Sequence, residues 1–115
     1  MNLETLRQYC LTKEGASEDM PFDDNILCFR VLNKIFALTD FTSNPTSVNL
    51  KCDPEKVILL REQYNCVIPG YHMNKKHWNT VILDDSVTDT LVQRWIDDSY
   101  ILVVKTLSKS QKQNL

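Results

Sequence analysis

The sequence predicts one α+β domain, a two-layer sandwich in which an antiparallel sheet of about five strands carries packed helices. Three observations lead there. Ile26 to Leu32 and Ile35 to Asp40 read as strands joined across a tight turn at Asn33-Lys34, and a hairpin makes its sheet antiparallel. Ser47 to Cys52 alternates polar and apolar side chains, burying Val48, Leu50 and Cys52 on one face. Leu91, Trp95 and Leu102, with Val92, Ile96, Val103 and Leu107 beside them, give the last helix a wide apolar surface that a sheet must cover. The order read from the chain is α-β-β-β-α-β-β-α, with residues 1–107 as a single domain and 108–115 as a frayed tail.

In chain order, Asn2 caps a first helix in which Leu3, Leu6 and Cys10 recur at helical spacing, and Gly15 is the expected stop. An acidic loop follows, from Glu14 to Asp24, with Met20-Pro21-Phe22 expected to fold back on the core. After the hairpin and the third strand, Asp53-Pro54-Glu55 is a strong helix start: an acid at the cap, proline at the first helical position, then a second acid. Val57, Leu60 and Tyr64 mark that helix's inner side. Cys66 to Ile68 pairs briefly, Pro69-Gly70 turns the chain, and Val81-Ile82-Leu83 is a buried strand stopped by Asp84-Asp85. Ser86 with Asp89 reads as a capping box opening the long helix, and Ser99 is small enough to permit close approach.

Composition excludes several classes. A chain of 115 residues holds one core. Its longest apolar runs, Val57 to Leu60 and Ile101 to Val104, fall far below the roughly 20 residues of a membrane span. No basic, then apolar, leader opens the sequence, so the cytoplasm is the expected location. Cys10, Cys28, Cys52 and Cys66 lack any C-x-x-C spacing, and Cys66, His72 and His77 match no zinc pattern; the cysteines read as small buried hydrophobes, with no metal and no cofactor. The net charge of -2 argues against strong non-specific nucleic-acid binding while leaving room for a local basic patch.

The stretch from Tyr71 to Leu83 concentrates polar, basic and aromatic groups at the mouth of a strand, where side chains are held yet wet. Trp78 is expected to anchor it in the core, with Lys75 and Lys76 exposed on the turn before it. The segments PGYHMNKKHWNTVILDDS and WIDDSYILV, the closing Leu107-Ser108-Lys109, and upstream KIFAL and LKCDPEKVILLREQY together resemble the MmcQ/YjbR family of small bacterial proteins. Thr88 and Ser108 depart from the family, which often has proline there. The resemblance covers nearly the whole chain. It implies a fold like secretion-chaperone-like and frataxin-like proteins and a DNA-binding label, with His72, Asn74, Lys75, His77 and Trp78 as the matching signature residues.

DNA binding would place Lys75, Lys76 and His77 on phosphates, with Lys34 of the hairpin turn as a second contact. His72 is a further candidate, although five residues from His77 on an extended segment it points to the opposite face. Asn74 and Asn79 would reach base edges. The alternative is a protein- or ligand-binding module of chaperone-like kind, using an open sheet face or the acidic loop. No catalytic activity is expected: His72 and His77 can act as bases, yet no nucleophile motif or glycine-rich phosphate loop accompanies them. A membrane is not among the expected partners.

Overall fold

A computed structural model describes residues 1–70 and 73–115 of the chain. Its elements run α1 (Leu3–Leu11), β1 (Ala16–Asp19), β2 (Ile26–Val31), β3 (Lys34–Asp40), β4 (Ser47–Lys51), α2 (Pro54–Gln63), β5 (Val67–Pro69), β6 (Trp78–Ile82), α3 (Asp89–Lys105) and the short α4 (Lys109–Lys112). The strands form one six-stranded sheet in the order β1-β2-β3-β4-β6-β5. Every neighbouring pair is antiparallel. Helices tile one face: α1 against β1, α3 across β2 to β4, and α2 against β5 and β6. The expected α+β sandwich is present, with one strand more than the sequence suggested.

The extra strand is β1, cut from the acidic loop. Its acids are spoken for: Arg7 of α1 grips Glu18 through Nε and Nη2, and Arg30 Nε donates to Asp19 at 2.8 Å. Met20 and Phe22 do not fold back on the core; they are 53% and 66% exposed. Strand pairing carries them to the rim of the sheet instead.

Local signals mostly survive. Asn2 caps α1, its Oδ1 accepting from Thr5 N while Thr5 Oγ1 accepts from Asn2 N. The helix stops at Leu11, earlier than Gly15, and Gly15 serves the turn into β1 at φ +74°, where a Cβ would fall 2.5 Å from Leu115 Cδ2. Asp53 caps α2 with Pro54 at its start, and its carboxylate accepts from Glu55 N at 2.9 Å. The β2–β3 turn sits one residue before the expected place: Leu32 and Asn33, at φ 46° and 77°, supply the two left-handed positions such a hairpin demands. Thr88, not Ser86, caps α3, because the Asp84 carboxylate engages both the N–H and the hydroxyl of Ser86 in a turn. The tail is not simply frayed. Ser108 and Gln111 form a capping box at α4, and Leu115 packs against the core.

The core lies between the helices and the sheet, where Phe29, Phe36, Val48, Val92 and Ile96 are essentially inaccessible. Two polar devices tie the elements together, one between helices and one between a helix and the sheet. On one side, Tyr9 of α1 donates to Asp97 of α3 at 2.7 Å, and Lys13 pairs with the same carboxylate. In the centre, Ser99 of α3 is fully buried; its Oγ donates to Phe36 O at 2.5 Å and accepts from Lys51 N at 2.8 Å. Phe36 is the extra residue of a β-bulge, since Phe29 faces Ala37 and Arg30 faces Ile35. The β3–β4 ladder, aligned at Ala37–Leu50, thus gives way where Phe36 and Lys51 would pair next, and the Ser99 hydroxyl takes over both orphaned groups. The four cysteines are free thiols; burial pushes that of Cys10 up to about 12.

Candidate functional site

Two places on the molecule present groups to a ligand: the turn before β6, and the sheet face that no helix covers. The turn is built by Asn74. Its backbone carbonyl accepts from His77 N and Trp78 N, and its side-chain oxygen from Lys76 N, so the residue closes the turn on itself. Gly70 pairs with Trp78 across the hairpin, and a Cβ there would collide with Trp78 O at 2.8 Å. Arg61 of α2 braces the segment from the helix side, with Nε on Asn79 Oδ1 at 2.7 Å and Nη2 on Lys75 O.

Lys75 and Lys76 are exposed on this turn and His77 is half-buried. Lys75 Nζ donates to Gly70 O at 3.2 Å. Lys34 lies at the same end of the sheet, where β3 and β6 begin and β4 ends. Its ammonium, however, turns to the carboxyl end of α3, donating to Thr106 O at 3.2 Å and Oγ1 at 3.1 Å, where a cation suits the helix dipole. Lys34 therefore does not join the Lys75–Lys76 pair. Asn79, read as a base contact, is 2% exposed with its amide held by Arg61 and by Val57 O, so it is structural. His72 lies outside the described residues.

Trp78 is not the core anchor the sequence suggested. It is half-buried and outside the contiguous core. Strand alternation explains this: Asn79 points at α2, so Trp78 points to the opposite face. Trp95 of α3, 8% exposed, fills the core instead.

That opposite face holds a groove of about 830 Å³. Its walls are apolar, from Ile26, Leu38, Ile68, Met73 and Ile82, with Phe22 and Pro45 at the rim. Its floor is polar where β4 pairs with β6: Asn49 stands opposite Thr80 and accepts the Thr80 hydroxyl. Asn49 is 7% exposed; its side-chain nitrogen has no partner among the described residues and is not sealed from solvent. Asp23 and Asp40 flank one end, and no Lys, Arg or His lines the groove among the described residues. Thr42 donates to Asp40 through its hydroxyl and its backbone N–H, which holds that carboxyl below its ordinary range. The sequence pointed to an open sheet face and to the acidic loop that holds Phe22 and Asp23, but did not single out the strand residues of the groove. The available signal was in the strands themselves: Leu38 and Ile82 put apolar groups on the face that a half-wet sheet would give to polar ones.

Among the described residues, no group of three or more His, Cys, Asp or Glu could hold a metal ion, and no helix is long and apolar enough to cross a membrane.

A six-stranded antiparallel sheet, tiled with helices on one side and grooved on the other, defines a small α+β domain of the two-layer kind. The family model described as YjbR matches residues 11–102, and the chain belongs to the YjbR family. It is 36% identical over 115 residues to the Escherichia coli K12 protein YjbR, covering all of this chain and 98% of that protein. It is 34% identical over 112 residues to YbdF of Escherichia coli O157:H7, covering 97% and 92% of the two chains. A crystal structure of the Deinococcus radiodurans protein DR2400, with a domain described as DUF419, superposes with a TM-score of 0.91 at 40% identity, covering 97% of this chain and 86% of that one. A crystal structure of a Pseudomonas syringae protein gives 0.76 at 28% identity, covering 89% and 98%.

Proposed function

We propose that this chain is a non-catalytic binding module of the cytoplasm whose ligand lies in the groove on the helix-free sheet face. The observation that supports this most is the combination of apolar walls with the Asn49 carboxamide, whose oxygen is engaged by Thr80 and whose nitrogen is left open to the groove. Binding sites are typically clefts of roughly 300–1,000 Å³, mostly apolar, with a few placed polar groups that orient what enters. The groove's 830 Å³ falls in that range. Methyl-labelled Ile, Leu and Met, followed by NMR against a set of neutral, cationic and anionic fragments, provide the test. Shifts are expected at Ile26, Leu38, Ile68, Met73 and Ile82, while Ile101 on α3 stays silent. Shifts confined to helix-side methyls such as Ile58, Leu59 and Ile101 would reject the groove.

DNA binding is the second reading, and the exposed Lys75–Lys76 pair favours it. The pI of about 5.6, the diversion of Lys34 to α3 and the burial of Asn79 leave it less support than the groove has. In this reading Lys75→Ala with Lys76→Ala weakens binding to every duplex alike and flattens the salt slope by about two phosphate contacts. Stability should move by less than about 0.5 kcal/mol, as exposed substitutions do. Wild type and double variant binding duplex DNA equally in a gel shift at moderate salt would remove the turn from consideration.

A further inference from the structure

Resting on the groove reading above, we infer that the occupant is an extended, apolar segment of a partner polypeptide bearing a lysine or arginine. Three features of the groove converge on that chemistry. The first is its length. Ile26, Leu38, Asn49, Thr80 and Ile68 belong to β2, β3, β4, β6 and β5, which are neighbours in the sheet. Crossing that many strands at about 4.8 Å apiece makes a trough of roughly 19 Å. About six residues of extended chain cover that distance.

Charge is the second. Asp23 and Asp40 stand together at the β2–β3 end, and no cation lines the groove among the described residues. Asp23 Oδ1 is engaged by Asn25 N and Ile26 N, and Asp40 Oδ1 by Thr42. Each carboxylate keeps a second oxygen uncommitted to any described residue. An anionic ligand would be repelled here, and an ammonium or guanidinium would be drawn in.

The third feature is Asn49. Its oxygen accepts from Thr80, which turns the amide nitrogen to the groove with N–H donors that no described residue satisfies. Among the described residues no buried side-chain polar atom lacks a partner, so this nitrogen reaches the solvent of the groove and is open to an acceptor, and a peptide backbone presents carbonyl oxygens at regular intervals. Aliphatic side chains of such a segment would fill the space between Leu38, Ile68 and Ile82. The exposed ring of Phe22, at the same end as the two acids, can lie over the stem of the basic side chain.

A phage-displayed library of random heptapeptides, panned on the immobilised full chain, tests the inference. Enriched sequences should combine one Lys or Arg with aliphatic residues. Synthesised with a fluorescein label, they should bind in anisotropy titrations and shift the Leu38, Ile68 and Ile82 methyls. Exchanging the basic residue for Glu in the peptide should weaken binding about tenfold or more, a comparison made entirely on the wild-type protein. Asp23→Asn with Asp40→Asn should produce a similar loss, and Asn49→Ala, if it remains folded by circular dichroism, should weaken all enriched peptides alike. Enrichment of acidic sequences, or affinity indifferent to the Lys-to-Glu exchange, overturns the inference. Groove methyls that respond to small fragments while no peptide is enriched would keep the groove as a site and refute the polypeptide. Groove methyls silent to fragments and peptides alike would refute both.

Discussion

Replacing Trp95 by alanine is expected to destabilise the domain by about 3–5 kcal/mol, the range for truncating a large aromatic in a packed core. The indole is 8% exposed and meets the Tyr64 ring edge-on, with centroids 5.1 Å apart and planes at 71°. It thereby joins α3 to the end of α2. It also forms one wall of a cleft of about 360 Å³ between those helices, floored by Leu50, Val67 and Val81. Truncation would enlarge this cleft rather than leave a sealed void, so apolar floor would become wet. Urea unfolding followed by far-ultraviolet circular dichroism measures the loss without relying on the removed fluorophore. Trp78→Ala is the comparison: a half-buried ring outside the core should cost only about 1–2 kcal/mol. A larger loss for Trp78 than for Trp95 would reverse the assignment of the core tryptophan.

Ser99→Ala removes one oxygen atom and should still cost about 2–4 kcal/mol. The hydroxyl satisfies Phe36 O and Lys51 N together, at the point where β3 and β4 part. Ser99 itself is 0% exposed, so water has no ready access to replace it. Each buried backbone group left unpaired carries a penalty of roughly 1–3 kcal/mol, and the alanine variant leaves two. At about 4 °C per kcal/mol for a domain of this size, the melting temperature should fall by roughly 8–16 °C. Amide hydrogen exchange provides a local check, with the Lys51 N–H losing protection more than its neighbours. A variant within about 0.5 kcal/mol of wild type would mean that the strands close up and pair directly once the serine is gone.

Local chemistry was legible wherever a few adjacent residues suffice to define a structure. Asn2 with Thr5, and Asp53 with Pro54, specify helix starts through bonds made within one turn. Asn33 marks a hairpin because it tolerates a left-handed backbone. The apolar spacing of Val92, Trp95, Ile96 and Val103 identifies the covered side of α3 without reference to its cover. The family resemblance was legible too, since it rests on contiguous segments, and the chain belongs to the YjbR family.

What the sequence could not disclose depends on pairing between distant segments. The acidic run after α1 becomes an edge strand only because Arg7 and Arg30, from α1 and β2, supply partners for Glu18 and Asp19. The site fares the same way. Lys34, Lys75 and Lys76 look alike in the sequence, but Lys34 meets the end of a helix 72 residues further along and leaves the other two. Asn49 and Thr80 are 31 positions apart, and each alone is an ordinary polar residue on a strand; paired across β4 and β6 they make the floor of a groove. Trp78 and Trp95 are equally apolar, so composition gives no preference between them. The choice follows from the β4–β6 register, which aims Asn79 at α2 and sends Trp78 to the other side, because a strand must alternate its side chains between two faces and only its partner decides which face is which.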